Sequence, residues 1–121
     1  MPNPIELDTA VLEKLNFGPG GLMPAVVVDE GSRVLMVAYV DAEAIRRIGE
    51  SGRTWFYSRS RREYWAKGDT SGNTQDVLQI LTDCDFDTLL IRVRQHGAGA
   101  CHTGSYSCFT NSVSVGAADG A

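Results

Sequence analysis

The sequence predicts an α+β domain made mostly of strand. Short apolar or aromatic runs recur between turn-forming clusters. Only two stretches have both a helix cap and a helical apolar period. The connections are short, which favours antiparallel pairing. The 121 residues suit one compact domain, drawn at 1–110, with residues 111–121 as a flexible tail.

Each element has a local cause. Asp8 can cap a short helix through about Leu15, with Val11, Leu12 and Leu15 on one face. Asn16 to Gly21 is a turn or linker. Leu22 to Asp29 is a strand, Asp29-Glu30-Gly31-Ser32 a hairpin turn, and Arg33 to Val40 the return strand. Asp41 caps a second helix carrying Ala42, Ala44, Ile45 and Ile48, which Gly52 stops. Thr54 to Ser58 is an aromatic strand, and Glu63 to Lys67 a short one after the break at Arg59-Ser60-Arg61-Arg62. Gly68 to Asn73 is a polar glycine loop. Asp76 to Asp85 and Thr88 to Arg94 are two further strands around a tight turn at Asp85-Phe86-Asp87.

Composition narrows the function. No apolar run approaches the ~20 residues needed to cross a bilayer. The N-terminus lacks the basic and apolar regions of a signal peptide, so a cytoplasmic location is expected. A net charge of −4 argues against a general nucleic-acid binder. Five of the 11 Lys and Arg residues nevertheless fall between Arg53 and Lys67. A local basic patch on an acidic chain suits a small phosphorylated ligand. Three cysteines cannot all pair, so metal binding or catalysis outweighs a disulfide framework.

The chemistry concentrates in two segments, Asp83-Cys84-Asp85-Phe86-Asp87 and Cys101-His102 through Cys108. If 82–87 is extended, Asp83, Asp85 and Asp87 share one face and Cys84 takes the other. Three carboxylates on one face suit magnesium; a solvated acidic turn accounts for the spacing equally well. Cys101 and Cys108 are not spaced like a zinc finger, and two small buried thiols would read the same way. Cys84 could add a third thiolate, and three ligands plus water make a catalytic zinc site. His102 could ligate, act as a base or face solvent; adjacency to Cys101 favours the acid–base role. If Cys84 faces away from the aspartates, a symmetric dimer resolves the geometry, with Cys84 of one subunit completing the other's zinc site. Arg59, Arg61, Lys67, Thr70 and Ser71 could cradle phosphate, or could belong to a charged hairpin with a polar turn.

The runs Trp65-Ala66-Lys67-Gly68-Asp69-Thr70-Ser71-Gly72-Asn73, Asp83 to Asp87 and Cys101 to Phe109 together resemble the phosphoribosyl-AMP cyclohydrolase family, as do Leu35 to Val40 and Tyr57 to Arg61. The resemblance covers about Leu22 to Phe109. It implies a homodimer that hydrolyses the N1–C6 bond of the adenine ring of 1-(5-phosphoribosyl)-AMP in histidine biosynthesis. It implies zinc on Cys84, Cys101 and Cys108, with Cys84 from the partner subunit, and magnesium on Asp83, Asp85 and Asp87. His102 is the candidate catalytic residue, for moving the protons of that hydrolysis. Two features depart from the family pattern. The approach Gln95 to Ala100 is one residue longer, and the tail lacks an aromatic-basic continuation. Some relatives carry a fused pyrophosphohydrolase domain; a chain of this length is expected to leave that step to a separate protein. The rival readings are a zinc hydrolase of another purine nucleotide and a zinc-stapled nucleotide-binding dimer without catalysis. A deaminase lacks support, because no H-x-E with P-C-x-x-C pattern is present.

Overall fold

The structure, a computed structural model, describes residues 2–116. Helix α1 spans Thr9–Leu12, and a 3-10 turn spans Pro19–Gly21. Strands β1 (Met23–Val28) and β2 (Val34–Val40) follow, then helix α2 (Ala42–Ser51). The remaining strands are β3 (Trp55–Ser58), β4 (Glu63–Ala66), β5 (Gln75–Thr82) and β6 (Leu89–Gln95). The main sheet has the order β2-β1-β6-β5, and β3 with β4 forms a separate hairpin. The mostly-strand α+β reading therefore holds. One pairing departs from the antiparallel expectation: β1 and β6 run parallel, with Val27 beside Ile91. The chain passes through α2, the β3–β4 hairpin and β5 before β6, which gives parallel neighbours the long crossover they need.

Capping sets the helix ends. The Asp8 carboxylate accepts from the N–H groups of Ala10 and Val11 at 3.0 and 3.2 Å. The helix expected through Leu15 stops at Leu12. There the N–H groups of Lys14 and Leu15 turn to carbonyls only three residues back. Asp41 caps α2 through the N–H of Ala44 at 2.8 Å. Gly52 ends α2 at φ 71°, where a Cβ would meet the Asn3 carbonyl oxygen at 2.2 Å.

One face of the sheet builds the core. Ala25, Val27, Leu89, Ile91 and Val93 are buried with Ile45 and Ile48 of α2 and Phe56 of β3. The opposite face carries an apolar row across all four strands, since Val37 pairs with Val26, Val26 with Leu90, and Leu90 with Leu81. Val37, Leu90 and Leu81 keep 45%, 36% and 41% of their surface exposed, enough to leave that row uncovered.

A buried polar relay joins β3 to the sheet. The Thr54 hydroxyl donates to Gln75 Oε1 at 2.8 Å, and Gln75 Nε2 donates to Gln95 Oε1 at 2.8 Å. Thr54 and Gln75 are fully buried. Thr54→Val keeps the shape but leaves the Gln75 carbonyl without its donor. Urea unfolding should show a loss of about 1–3 kcal/mol.

Among residues 111–116 no helix or strand forms, and Val113 and Val115 are fully exposed. The rest of the expected tail, 117–121, lies outside the described residues. No described helix is long and apolar enough to cross a membrane.

Candidate active site

The acidic segment is a turn, which corrects the expected alternation over 82–87. β5 ends at Thr82, and the chain turns through Cys84 and Asp85 to Phe86, which takes a left-handed φ of 62°. The cause is local. Asp83 Oδ1 accepts from the N–H groups of Asp87 (3.0 Å) and Thr88 (3.2 Å), so the chain wraps round its carboxylate instead of extending the ladder. The turn still brings Asp83, Asp85 and Asp87 together, with one oxygen of each within 4.8 Å of the others. Their titration reflects the crowding. Asp85 and Asp83 push the Asp87 carboxyl above its ordinary value. Desolvation opposes the charge on Asp83, but the backbone N–H groups of Asp87 and Thr88 hold its pKa below the ordinary value. Oxygen atoms in this arrangement fit a hard divalent cation.

The second segment is a tight loop tied to β2. The N–H of Cys108 donates to the Leu35 carbonyl at 2.7 Å, and the Ser107 hydroxyl to the Val34 carbonyl at 2.9 Å. Inside the loop, the N–H groups of Ala100 and Cys101 donate to the carbonyls of Tyr106 and Ser105. Tyr106 also donates to Asp29 in the β1–β2 turn at 2.6 Å. These bonds bring Cys101 and Cys108 into mutual contact. A bond with the Thr103 hydroxyl, 2.9 Å from Sγ, lowers the Cys101 pKa. Desolvation first, then Cys101, raise that of Cys108. Lys67 adds a favourable field at both thiols. A thiol whose pKa is lowered, beside a second sulfur, fits a soft cation such as zinc. Gly99 is essential to the loop. Its φ is 143°, and a Cβ would lie 2.3 Å from the Tyr106 Cα. Gly99→Ala should cost about 2 kcal/mol in thermal or urea unfolding.

Cys84 does not join this pair. Among the described residues, no third His, Cys, Asp or Glu atom meets Cys101 and Cys108 within the distance that groups the three aspartates. The thiols sit at the Leu35 end of β2. Asp87 shares a cavity with Tyr39 at the other end. Four residues of strand separate the two ends by about 13 Å. His102 is exposed in the turn closed by the Gly104 N–H to the Cys101 carbonyl.

The basic residues divide. Arg59 and Arg61 line an open cavity of about 720 Å³ with Ser58 and Ser60. Lys67 lies by the thiols instead. Thr70 and Ser71 are exposed, and the Ser71 hydroxyl accepts from the Asn73 N–H at 3.2 Å. Gly68 lets the chain cross itself, since a Cβ would lie 2.5 Å from the Asn73–Thr74 backbone. His96 sits outside both clusters, 2.8 Å from Asp76 Oδ2. Sequence reasoning missed the Tyr106 anchor to Asp29 and the stacking of Arg59 on Tyr39, 3.9 Å from the ring centre. Neither long-range contact leaves a local signal.

A family model described as phosphoribosyl-AMP cyclohydrolase matches residues 36–110, which contain both segments. The phosphoribosyl-AMP cyclohydrolase of Citrifermentans bemidjiense is 58% identical over 91 residues, covering 74% of this chain and 73% of its own. That of Trichlorobacter lovleyi is 55% identical over 98 residues, covering 79% and 78%. That of Pelotomaculum thermopropionicum is 54% identical over 99 residues, covering 81% and 76%. With the match running from β2 through the second cysteine segment, and identity above one half over most of the chain, this protein belongs to the phosphoribosyl-AMP cyclohydrolase family.

Proposed function

We propose that the chain hydrolyses the N1–C6 bond of the adenine ring of 1-(5-phosphoribosyl)-AMP. The product is the phosphoribosyl-formimino-aminoimidazole carboxamide ribotide, and the step belongs to histidine biosynthesis in the cytoplasm. The observation that carries the mechanism is the pairing of a carboxylate triad with two thiols that meet no third ligand among the described residues. Asp83, Asp85 and Asp87 would hold magnesium. Cys101 and Cys108 would hold zinc, with Cys84 supplied by a second subunit. The uncovered row Val37-Val26-Leu90-Leu81 gives a second copy an apolar face to meet.

When bound, zinc supplies the acidity that makes water nucleophilic near neutral pH, and magnesium supplies charge against phosphate. The chain's own groups do the rest. C6 is electrophilic because the phosphoribose on N1 disturbs the ring. His102 takes a proton as water adds to C6, and returns one to N1 as the N1–C6 bond breaks. The exocyclic amine stays on the carbon that becomes the carboxamide. Lys67 favours the thiolate form of both cysteines, and Arg59 and Arg61 line an open cavity with positive charge to offer a phosphorylated substrate.

Ultraviolet absorbance on phosphoribosyl-AMP tests the reading. A change that requires zinc and magnesium supports it; none with both metals bound favours a nucleotide-binding dimer. The two metal sites should separate on mutation. Asp85→Asn should weaken magnesium affinity about tenfold or more, measured by titration, while zinc content stays at the parental level. Loss of zinc would join the two sites.

A further inference from the structure

A second cavity, of about 490 Å³, lies beside the acidic turn. Its walls include Asp87 and Thr88, Tyr39 and Arg59, and the N-terminal residues Asn16 and Pro19. Tyr39 and Arg59 also line the outer cavity, so the two spaces adjoin at that stacked pair. The arginines differ. Arg61 lies 3.5 Å from the Glu63 carboxylate and lines the outer space alone. Arg59 has no carboxylate partner among the described residues, and its guanidinium is held over the Tyr39 ring. A planar cation fixed at a wall without a counter-ion suits a phosphate dianion.

The N-terminal wall is built in. The Asn16 N–H donates to the Phe86 carbonyl at 2.7 Å, and the Lys14 ammonium lies 5.9 Å over the Phe86 ring. The segment thus grips the one left-handed residue of the acidic turn. It also precedes the 36–110 region that carries the family match.

We propose that this cavity is a phosphate subsite of the phosphoribosyl substrate, with Arg59 rather than Arg61 as its arginine and Asn16 as its outer wall. The assignment rests on the cyclohydrolase reading. It makes an element ahead of residues 36–110, the stretch the family model matches, set the substrate's affinity.

Calorimetry with ribose 5-phosphate, on the full zinc-loaded chain in saturating magnesium, tests it. Arg59→Ala should weaken binding about tenfold or more, and Arg61→Ala by about twofold or less. Asn16 faces solvent, so its charge can be changed without disturbing the core. Asn16→Lys should tighten binding and Asn16→Asp should weaken it, each about threefold or more, a sign reversal that a purely structural role would not give. Equal binding by the parent, Arg59→Ala and both Asn16 variants would overturn the assignment, as would no binding by the parent. Turnover of phosphoribosyl-AMP by the parent separates the two ideas. Turnover with unaffected variants removes the subsite alone, whereas no turnover with the charge-ordered affinities removes the reaction and keeps a phosphate site.

Discussion

Cys84→Ala and Cys108→Ala subunits, each inactive alone, should recover about one quarter of parental turnover when dissociated and reassociated in equal amounts. The figure follows from symmetry. Random pairing makes half of the dimers mixed. In a mixed dimer one zinc site has lost both Cys84 and Cys108, and the other keeps all three thiolates. Zinc bound to the mixture should rise with the activity. The basis is the separation in one chain, where Cys101 and Cys108 cluster at the start of β2 and Cys84 lies in the turn after β5. No recovery, with the mixed dimer shown to form, would place all three ligands in one chain or remove Cys84 from the site.

His102→Ala should lower turnover about 10²–10⁴-fold with zinc content unchanged. The ring is exposed beside Cys101, in a turn held by backbone bonds, so its removal leaves the loop intact. A His102→Gln variant, which keeps a hydrogen-bonding group but cannot carry the proton, should be nearly as slow. If zinc falls in parallel with turnover, His102 is a ligand. If turnover holds, proton transfer belongs to another group.

Much of this was legible in the residues. Asp8, Asp41 and Gly52 act as caps and stop because their reasons are local. The hairpin at Asp29 forms as expected, with its carboxylate accepting from the N–H groups of Gly31 and Arg33. The parallel β1–β6 pairing was not legible, because a partner more than sixty residues away leaves no mark on either strand. The acidic segment was half legible. Its carboxylates do converge, but through bonds to Asp83 that compete with the strand, not through alternation. The motif also hid a division among the basic residues. Lys67 and Arg59 look like one patch in sequence, yet one lies at the thiols and the other faces the acidic turn.

The most direct test of the central claim is mass spectrometry of the product formed from phosphoribosyl-AMP in heavy-oxygen water. The proposed reaction predicts a product heavier than substrate by one labelled water, with the label in the carboxamide and no ammonia released. An unlabelled product, or one that has exchanged its amine for oxygen and released ammonia, would contradict cleavage between N1 and C6.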